Sequence, residues 1–298
     1  MPLPGNAIAM PYKVPPRINV AYQGHTDNSK QIEHAAQAVK WPMVPRGSAK
    51  GRPLAIVGGG APLFLDELRA WKGDIWAVND VFNHLRDQGI ASTFFACDSC
   101  IELADKVEHV ERAVIASICH PEMFKRLTAS GARINIFHPD NTVKNAPFEA
   151  WGHATALSRA HQVGVYMGYG SQTYFGASGS YASMTATQSH VYHKPANELA
   201  VDSIIVRANR QYFRSNLVLS GQSEFMRQLI AANPKYFREQ SGGMLRAFLA
   251  DPDWEIVKYS DDILAQFKPM PSDAVQSVET RNRFLQAAAY SGPQSATA

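Results

Sequence analysis

Gly58, Gly59 and Gly60 stand between the apolar run "LAIV" and a proline-led stretch, "APLFLDEL". Glycine lets the backbone turn tightly and come close to a ligand, and a helix opening near Pro62 offers unpaired N–H groups to an anion. Such a turn can hold a phosphate group; the same residues also make a tight turn that needs no ligand. The full G-x-G-x-x-G pattern is absent, and no Gly-Lys-Ser/Thr follows to make a Walker A loop. Further polar residues end the next apolar runs: Asn79 and Asp80 after "DIWAV", Asp98 after "TFFAC", Ser117 after "RAVIA", and His138 after "RINIF". Asp80 and Asp98 are candidate metal ligands. Magnesium takes a few carboxylates, several waters and substrate phosphate oxygens, so two carboxylates facing a glycine turn suit a Mg²⁺–diphosphate. Each also precedes a helix-like stretch that an aspartate can cap. Asp98, His138 and His153 are the candidate catalytic residues, the histidines as bases by residue type.

A second glycine cluster, "GYGSQTYFGASGSYASM", occupies residues 168–184. Gly176, Ser178 and Gly179 precede a helix-like stretch, so Ser178 and Gly179 join Gly58, Gly59, Gly60 and Asn79 as candidate donor-binding residues. The competing reading is a small-residue helix start packed closely on a sheet. Tyr166, Tyr169, Tyr174 and Tyr181 are available to donate to a phosphate or stack on a ring; His190 and His193 read as surface histidines. Cys97, Cys100 and Cys119 are odd in number and lie near apolar stretches, as buried free thiols do in a reducing compartment. A zinc site would need a fourth ligand.

The elements that must position these residues follow a clear rhythm from Pro53. "PLAIVG", "DIWAVN", "STFFACD", "RAVIAS" and "RINIFH" are buried-strand runs, separated by the helix-like stretches "PLFLDELRAW", "DVFNHLRDQG", "SCIELADKVEHV" and "PEMFKRLTAS". Short apolar strands alternating with helices predict an α/β fold, a mostly parallel Rossmann-like sheet with helices on both faces. In such sheets ligands lie at the carboxyl ends of the strands, where the polar residues above would converge. The rhythm lapses over 139–175. Helices are expected at "SGSYASMTATQSHVYH", at "LSGQSEFMRQLIAAN" with Ser220 as cap and Phe225, Leu229 and Ile230 on one face, and at "SGGMLRAFLA".

Three segments are predicted: an extended N-terminal arm over 1–50, a Rossmann-like domain over 51–270, and a C-terminal helix with a flexible tail over 271–298. The arm is rich in Pro, Gly, Asn and Gln, with one helix-like patch near "NSKQIEHAAQAVKW" and a linker-like "VPRGSAKGRP". Tyr12, Tyr22 and Trp41 are its candidate anchors for oligomer or assembly contacts. The composition, 45% hydrophobic and 18% charged over 298 residues, is that of a globular protein. A net charge of +3 without a Lys/Arg stripe does not indicate nucleic acid as partner. The absence of a long apolar run or a signal-like start predicts no membrane span and a cytoplasmic location.

"LAIVGGGAPLFLDEL…DIWAVNDVFNHLRDQGI…TFFACD" resembles the opening half of the MptE-like 6-hydroxymethylpterin diphosphokinase family. That superfamily includes motility-associated glycosyltransferases and is similar to bacterial Rossmann-like sialyltransferases. The features in common fall on Gly58, Gly60, Pro62, Asn79, Gly89–Ile90 and Asp98; "ASGSYASMTA" resembles the nucleotide-touching helix start of the sialyltransferase branch, and "YFRSNLVLSGQSEFMRQLI" a C-terminal segment of the MptE-like group. The resemblance spans residues 53–250. It implies a nucleotide ligand at the glycine turn, with Mg²⁺-assisted diphosphate transfer from ATP in one branch and glycosyl transfer from a nucleotide-sugar in the other. The chain departs at Ala61, where a small polar residue is usual, and at "VYHKPANELAVDS", where the family carries a G-x-D.

These readings predict a transferase acting on a nucleotide donor and a small-molecule acceptor. The alternative is a non-catalytic assembly or virion-associated protein of phage origin that reuses the fold and joins copies through residues 1–50, located in the host cytoplasm or the virion. An NAD(P)-dependent oxidoreductase fits less well, because Asn79–Asp80 stand where an isolated ribose-binding carboxylate is expected.

Overall fold

The computed structural model describes residues 28–59, 64–105, 107–139, 142–152, 155–181, 204–257 and 290–291. Helix α1 (Asn28–Ala38) leads into an alternating series: β1 (Pro53–Val57), α2 (Leu65–Arg69), β2 (Asp74–Val78), α3 (Val81–Asp87), β3 (Thr93–Ala96), α4 (Ile101–Asp105), β4 (Arg112–Ala116), α5 (Pro121–Ala129) and β5 (Arg133–Pro139). Every strand expected between Pro53 and His138 is present. These strands read as near-continuous Val, Ile, Ala and Phe because both faces are covered, and β3 is buried at each of its positions.

The chain continues through β6 (Glu149–Ala150), α6 (Ala156–Tyr166) and β7 (Ser171–Phe175). Next come β8 (Ile204–Ala208), β9 (Gln211–Ser215), α7 (Leu217–Ala232), β10 (Phe237–Glu239), α8 (Gly243–Ala250), β11 (Trp254–Val257) and β12 (Tyr290–Ser291). The main sheet is all parallel, in the order β10-β7-β1-β2-β3-β4-β5-β6. From β1 the chain winds outward to β6, then returns to place β7 on the other side of β1. Right-handed crossovers put helices of the outward and return paths on opposite faces. The packing agrees: α1 and α4 lie against α5, while α6 lies against α7. The reversal of winding makes the carboxyl ends of β1 and β7 the topological switch point of the sheet.

Residues 28–52 belong to the body of this fold. Ala35, Ala38, Val44 and Ala49 are buried, and Trp41 stacks on Phe124 at 5.9 Å between centroids. Around Met43 the backbone pairs with the outer edge of β5, through Val44 N–H to Ile136 O and Ile136 N–H to Pro42 O, both 2.8 Å. An edge strand exposes unpaired backbone groups, and this strap covers them beside β6. The stretch expected as a linker is instead bonded to the end of α6, through Gly47 to Tyr166, Ala49 to Met167 and Gly51 to Gly168. Its bonds are main-chain ones, which composition does not reveal.

A second sheet, antiparallel in the order β11-β8-β9-β12, packs on α8 through Val206, Ala208, Phe213, Met244 and Phe248. Its β8–β9 hairpin turns at Asn209 and Arg210, both at positive φ (46° and 59°), as a two-residue primed turn requires. Helix α7 is capped by Asn216, whose side chain accepts from Leu219 N–H at 2.8 Å, rather than by Ser220; Phe225, Leu229 and Ile230 are buried as expected. The stretch from Ser178 to Tyr181, where a helix was expected to open, is irregular. The rest of that expected helix, with His190 and His193, lies outside the described residues. So does the expected C-terminal helix and tail, except Tyr290–Ser291, which pair with β9.

Candidate functional site at the sheet switch point

The first glycine turn begins where β1 leaves the sheet. Gly58 N–H donates to Phe175 O at 2.8 Å, extending the β1–β7 ladder by one bond. A Cβ on Gly58 would stand 2.8 Å from Gly176 O and 2.6 Å from Leu157 Cδ1. Gly58 is therefore glycine because three segments meet there: the two strand ends and the first turn of α6, which Thr155 caps through Ser158 N–H. The two glycine clusters, far apart in sequence, are neighbours in space. Gly59 is half-buried at the turn; Gly60 lies outside the described residues.

The second turn is held by its own chain on every side. Ala177 N–H donates to Ser241 Oγ (2.7 Å), which donates on to Tyr174 O (3.2 Å), and Ser215 Oγ donates to Gly179 O (2.8 Å). Ser178 O accepts from Leu245 N–H in the first turn of α8 (3.1 Å). Gly179 has φ +70°, and a Cβ there would lie 1.8 Å from Ser223 Oγ on α7. The close-packing requirement at Gly179 is thus met by α7, and Ser178 contributes its carbonyl to α8. Arg214 is buried beside this turn, its guanidinium 5.3 Å from the Tyr181 ring centroid.

Along the rim from β1, the end of β2 carries Asn79 at φ +54°, with its N–H on Phe95 O at 2.9 Å. Among the described residues its Oδ1 is buried with no hydrogen-bond partner, which costs free energy unless something supplies a donor. Asp80 opens α3 without a side-chain capping bond. At the end of β3, Asp98 Oδ1 accepts from Cys100 N–H at 3.0 Å, closing an Asx turn. Ser117 and His138, ending β4 and β5, are both buried and joined by a 2.8 Å bond between Oγ and Nδ1. Burial holds the His138 pKa below the ordinary histidine value, so the ring is neutral at neutral pH.

Strand spacing sets the scale of this rim. Neighbouring strands lie roughly 5 Å apart, so Asn79 and Asp80 are one step from the glycine turn, Asp98 about 10 Å away and His138 about 19 Å. Asn79, Asp80 and Asp98 can reach a group bound at Gly58–Gly59; His138 can meet only a ligand that spans the rim. His153 lies outside the described residues. Among the described residues no group of three or more His, Cys, Asp or Glu is placed to hold a metal ion, and no helix is long and apolar enough to cross a membrane.

A cleft of about 300 Å³ opens elsewhere, between the hairpin turn at Asn209 and the start of α8 at Gly242 and Gly243. Its charge is already matched: Glu239 accepts from Gly242 N–H and pairs with Arg246 at 3.2 Å. The helix that closes over Gly58 escaped sequence reasoning. The stretch "ALSRAHQVGVY" buries Ser158, His161 and Gln162 among its apolar residues, so its polar positions do not mark a solvent face. No family model matches the chain, and no curated protein matches it.

Proposed function

We propose that this chain is a nucleotide-dependent transferase whose donor lies across the carboxyl ends of β1, β2 and β3, with its diphosphate over Gly58 and Gly59. One observation carries the reading: the two glycine turns meet at the switch point of a parallel sheet, and the next strand end presents a buried acceptor, Asn79 Oδ1, that the chain leaves unpaired. A ribose hydroxyl or a base amine is the type of donor that would complete it. Gly58 and Gly59 shape the phosphate turn, while Ser178 and Gly179 act as its buttress.

Asp80 and Asp98 follow the adjacent strands β2 and β3, and Asp98 already has one oxygen on Cys100 N–H. Two carboxylates are too few for a resident metal cage and fit a Mg²⁺ that arrives with the diphosphate. Bound Mg²⁺ would neutralise phosphate charge as the leaving group departs. Asp80 and Asp98 then orient the diphosphate, and Asn79 fixes the register of the nucleoside. Neutral His138, its ring oriented by Ser117, is competent to take a proton from an acceptor bound toward β5. The fold is also that expected from the MptE-like resemblance, which supports diphosphate or glycosyl transfer as the reaction.

A second reading, an assembly component, draws on α1. Ile32 on that helix and Val39, one residue past its end, are 53% and 59% exposed. Thermal-shift measurements with ATP, CMP, UDP and NAD, each with and without Mg²⁺, separate the two. The transferase requires a Mg²⁺-dependent shift with a nucleotide carrying a diphosphate, lost in Asp98→Ala. No shift with any nucleotide, with oligomers that dissociate in the double variant Ile32→Glu/Val39→Glu, would select assembly; both side chains are exposed, so the variant leaves the core untouched.

A further inference from the structure

Three thiols cluster beyond the ends of β3 and β4, and all are reduced: Cys97 and Cys100 are half-buried, Cys119 fully buried. Cys119 Sγ lies 3.8 Å from Ala96 O, the carbonyl of the peptide that enters Cys97. The Cys119 sulfur is therefore lodged against the peptide group that leads into Cys97. Standard backbone dimensions put the Cys97 Cα within roughly 7 Å of it. Cys100 is held in the Asx turn through its N–H on Asp98, and burial together with the Asp98 carboxylate pushes its thiol up to about 11.

We propose that Cys97 and Cys119 form a reversible disulfide that staples the end of β3 to the turn between β4 and α5. The oxidant is a hydroperoxide, which Cys97 can meet because it is partly exposed. The Cys97 sulfur attacks the O–O bond and becomes a sulfenic acid as the first water leaves. The Cys119 sulfur then displaces the sulfenic hydroxyl, its proton leaving with it as a second water. Two thiols and one hydrogen peroxide thus give one disulfide and two waters, with two electrons passing from sulfur to oxygen. Burial holds the Cys119 thiol protonated, so it is inert to solvent oxidants and acts when the Cys97 sulfenic acid forms beside it. A dithiol reverses the bridge by exchange. Because Asp98 follows Cys97 directly, the staple also fixes the backbone of a carboxylate in the proposed donor site; that consequence alone rests on the transferase reading.

The test is to treat the full-length protein with stoichiometric hydrogen peroxide and map the products by non-reducing digestion and mass spectrometry. The expected result is a loss of about 2 Da per chain, a linked Cys97–Cys119 peptide, and recovery of the original mass with dithiothreitol. Cys100→Ser should cross-link as the natural chain does, and Cys97→Ser should not. A Cys97–Cys100 link, Cys97 sulfinic acid without any link, or thiols that persist unchanged would overturn the proposal. The mass readout involves no nucleotide, so it decides the bridge whether or not the rim binds one.

Discussion

The two glycine turns at the switch point look alike in sequence and are built for different reasons. The Gly176–Gly179 turn is enclosed by its own chain: Ser241, Ser215 and Leu245 bond its backbone, and Ser223 fills the space where a Gly179 side chain would stand. The Gly58 turn leans on β7 through one N–H and on α6 through Leu157, next to the unpaired oxygen of Asn79. Glycine at the second position serves packing. At the first it serves a strand junction one strand away from Asn79 and Asp80. The lesson is that a glycine cluster gains functional meaning from what surrounds it, not from its count.

The largest effect should come from filling the enclosed turn. Gly179→Ala combines a steric conflict with Ser223 Oγ and a positive φ, and should cost about 3–4 kcal/mol of stability, read as a lowered denaturation midpoint. Ser223→Ala removes a buried hydroxyl that has no partner and should be close to neutral alone. In the double variant it should restore a large part of the loss, which a double-mutant cycle would measure as coupling. Additive losses would mean that the turn's conformation, not Ser223, sets the requirement.

Acid should act next, through the helix that supports the first turn. His161 on α6 is fully buried, with Nδ1 against Ser158 O at 2.5 Å, and burial lowers its pKa from 6.5 to about 4. As the pH falls, the unfolded chain takes up this proton before the folded one does. Stability is therefore full above about pH 6.5 and declines as the pH drops toward 4, by roughly 3 kcal/mol in all. His138, also held low by burial, adds to the same slope. Chemical denaturation across this range should show the decline, and His161→Gln should flatten it.

Gly58→Ala should cost less, about 2 kcal/mol, because Leu157 can move even though Gly176 O cannot. Its signature is a nucleotide response lost in protein that remains folded. The smallest stability effect belongs to Asn79→Gly, which removes the unpaired oxygen and relaxes a left-handed backbone, so the denaturation midpoint should shift by under about 0.5 kcal/mol. If the nucleotide shift survives Asn79→Gly intact, Asn79 is a turn residue and not a ligand contact.

The parallel core was legible because its strands are buried on both faces and announce themselves as unbroken apolar runs. The polar strand ends from Asn79 to His138 were legible for the same reason, each marking where a run stops. What stayed hidden was held by main-chain bonds or buried polar residues. The strap at Met43 pairs with β5 through backbone atoms that any sequence supplies. Helix α6 conceals its period behind Ser158, His161 and Gln162, and the return of β7 to β1 is a long-range pairing without a local cue. The closeness of the two glycine turns follows from that pairing alone, so the sequence held both parts of the candidate site but not their meeting.

The central claim is that a nucleotide diphosphate binds over the first turn at the switch point. Glycine-selective ¹⁵N labelling, followed by titration with ADP and Mg²⁺, tests it at the residues concerned. The account predicts that the amide signals of Gly58 and Gly59 move with saturation, while those of Gly89 and Gly131, at the far ends of α3 and α5, stay in place. If no glycine signal moves, or if only Gly242 and Gly243 beside the second sheet respond, the switch point is not the nucleotide site.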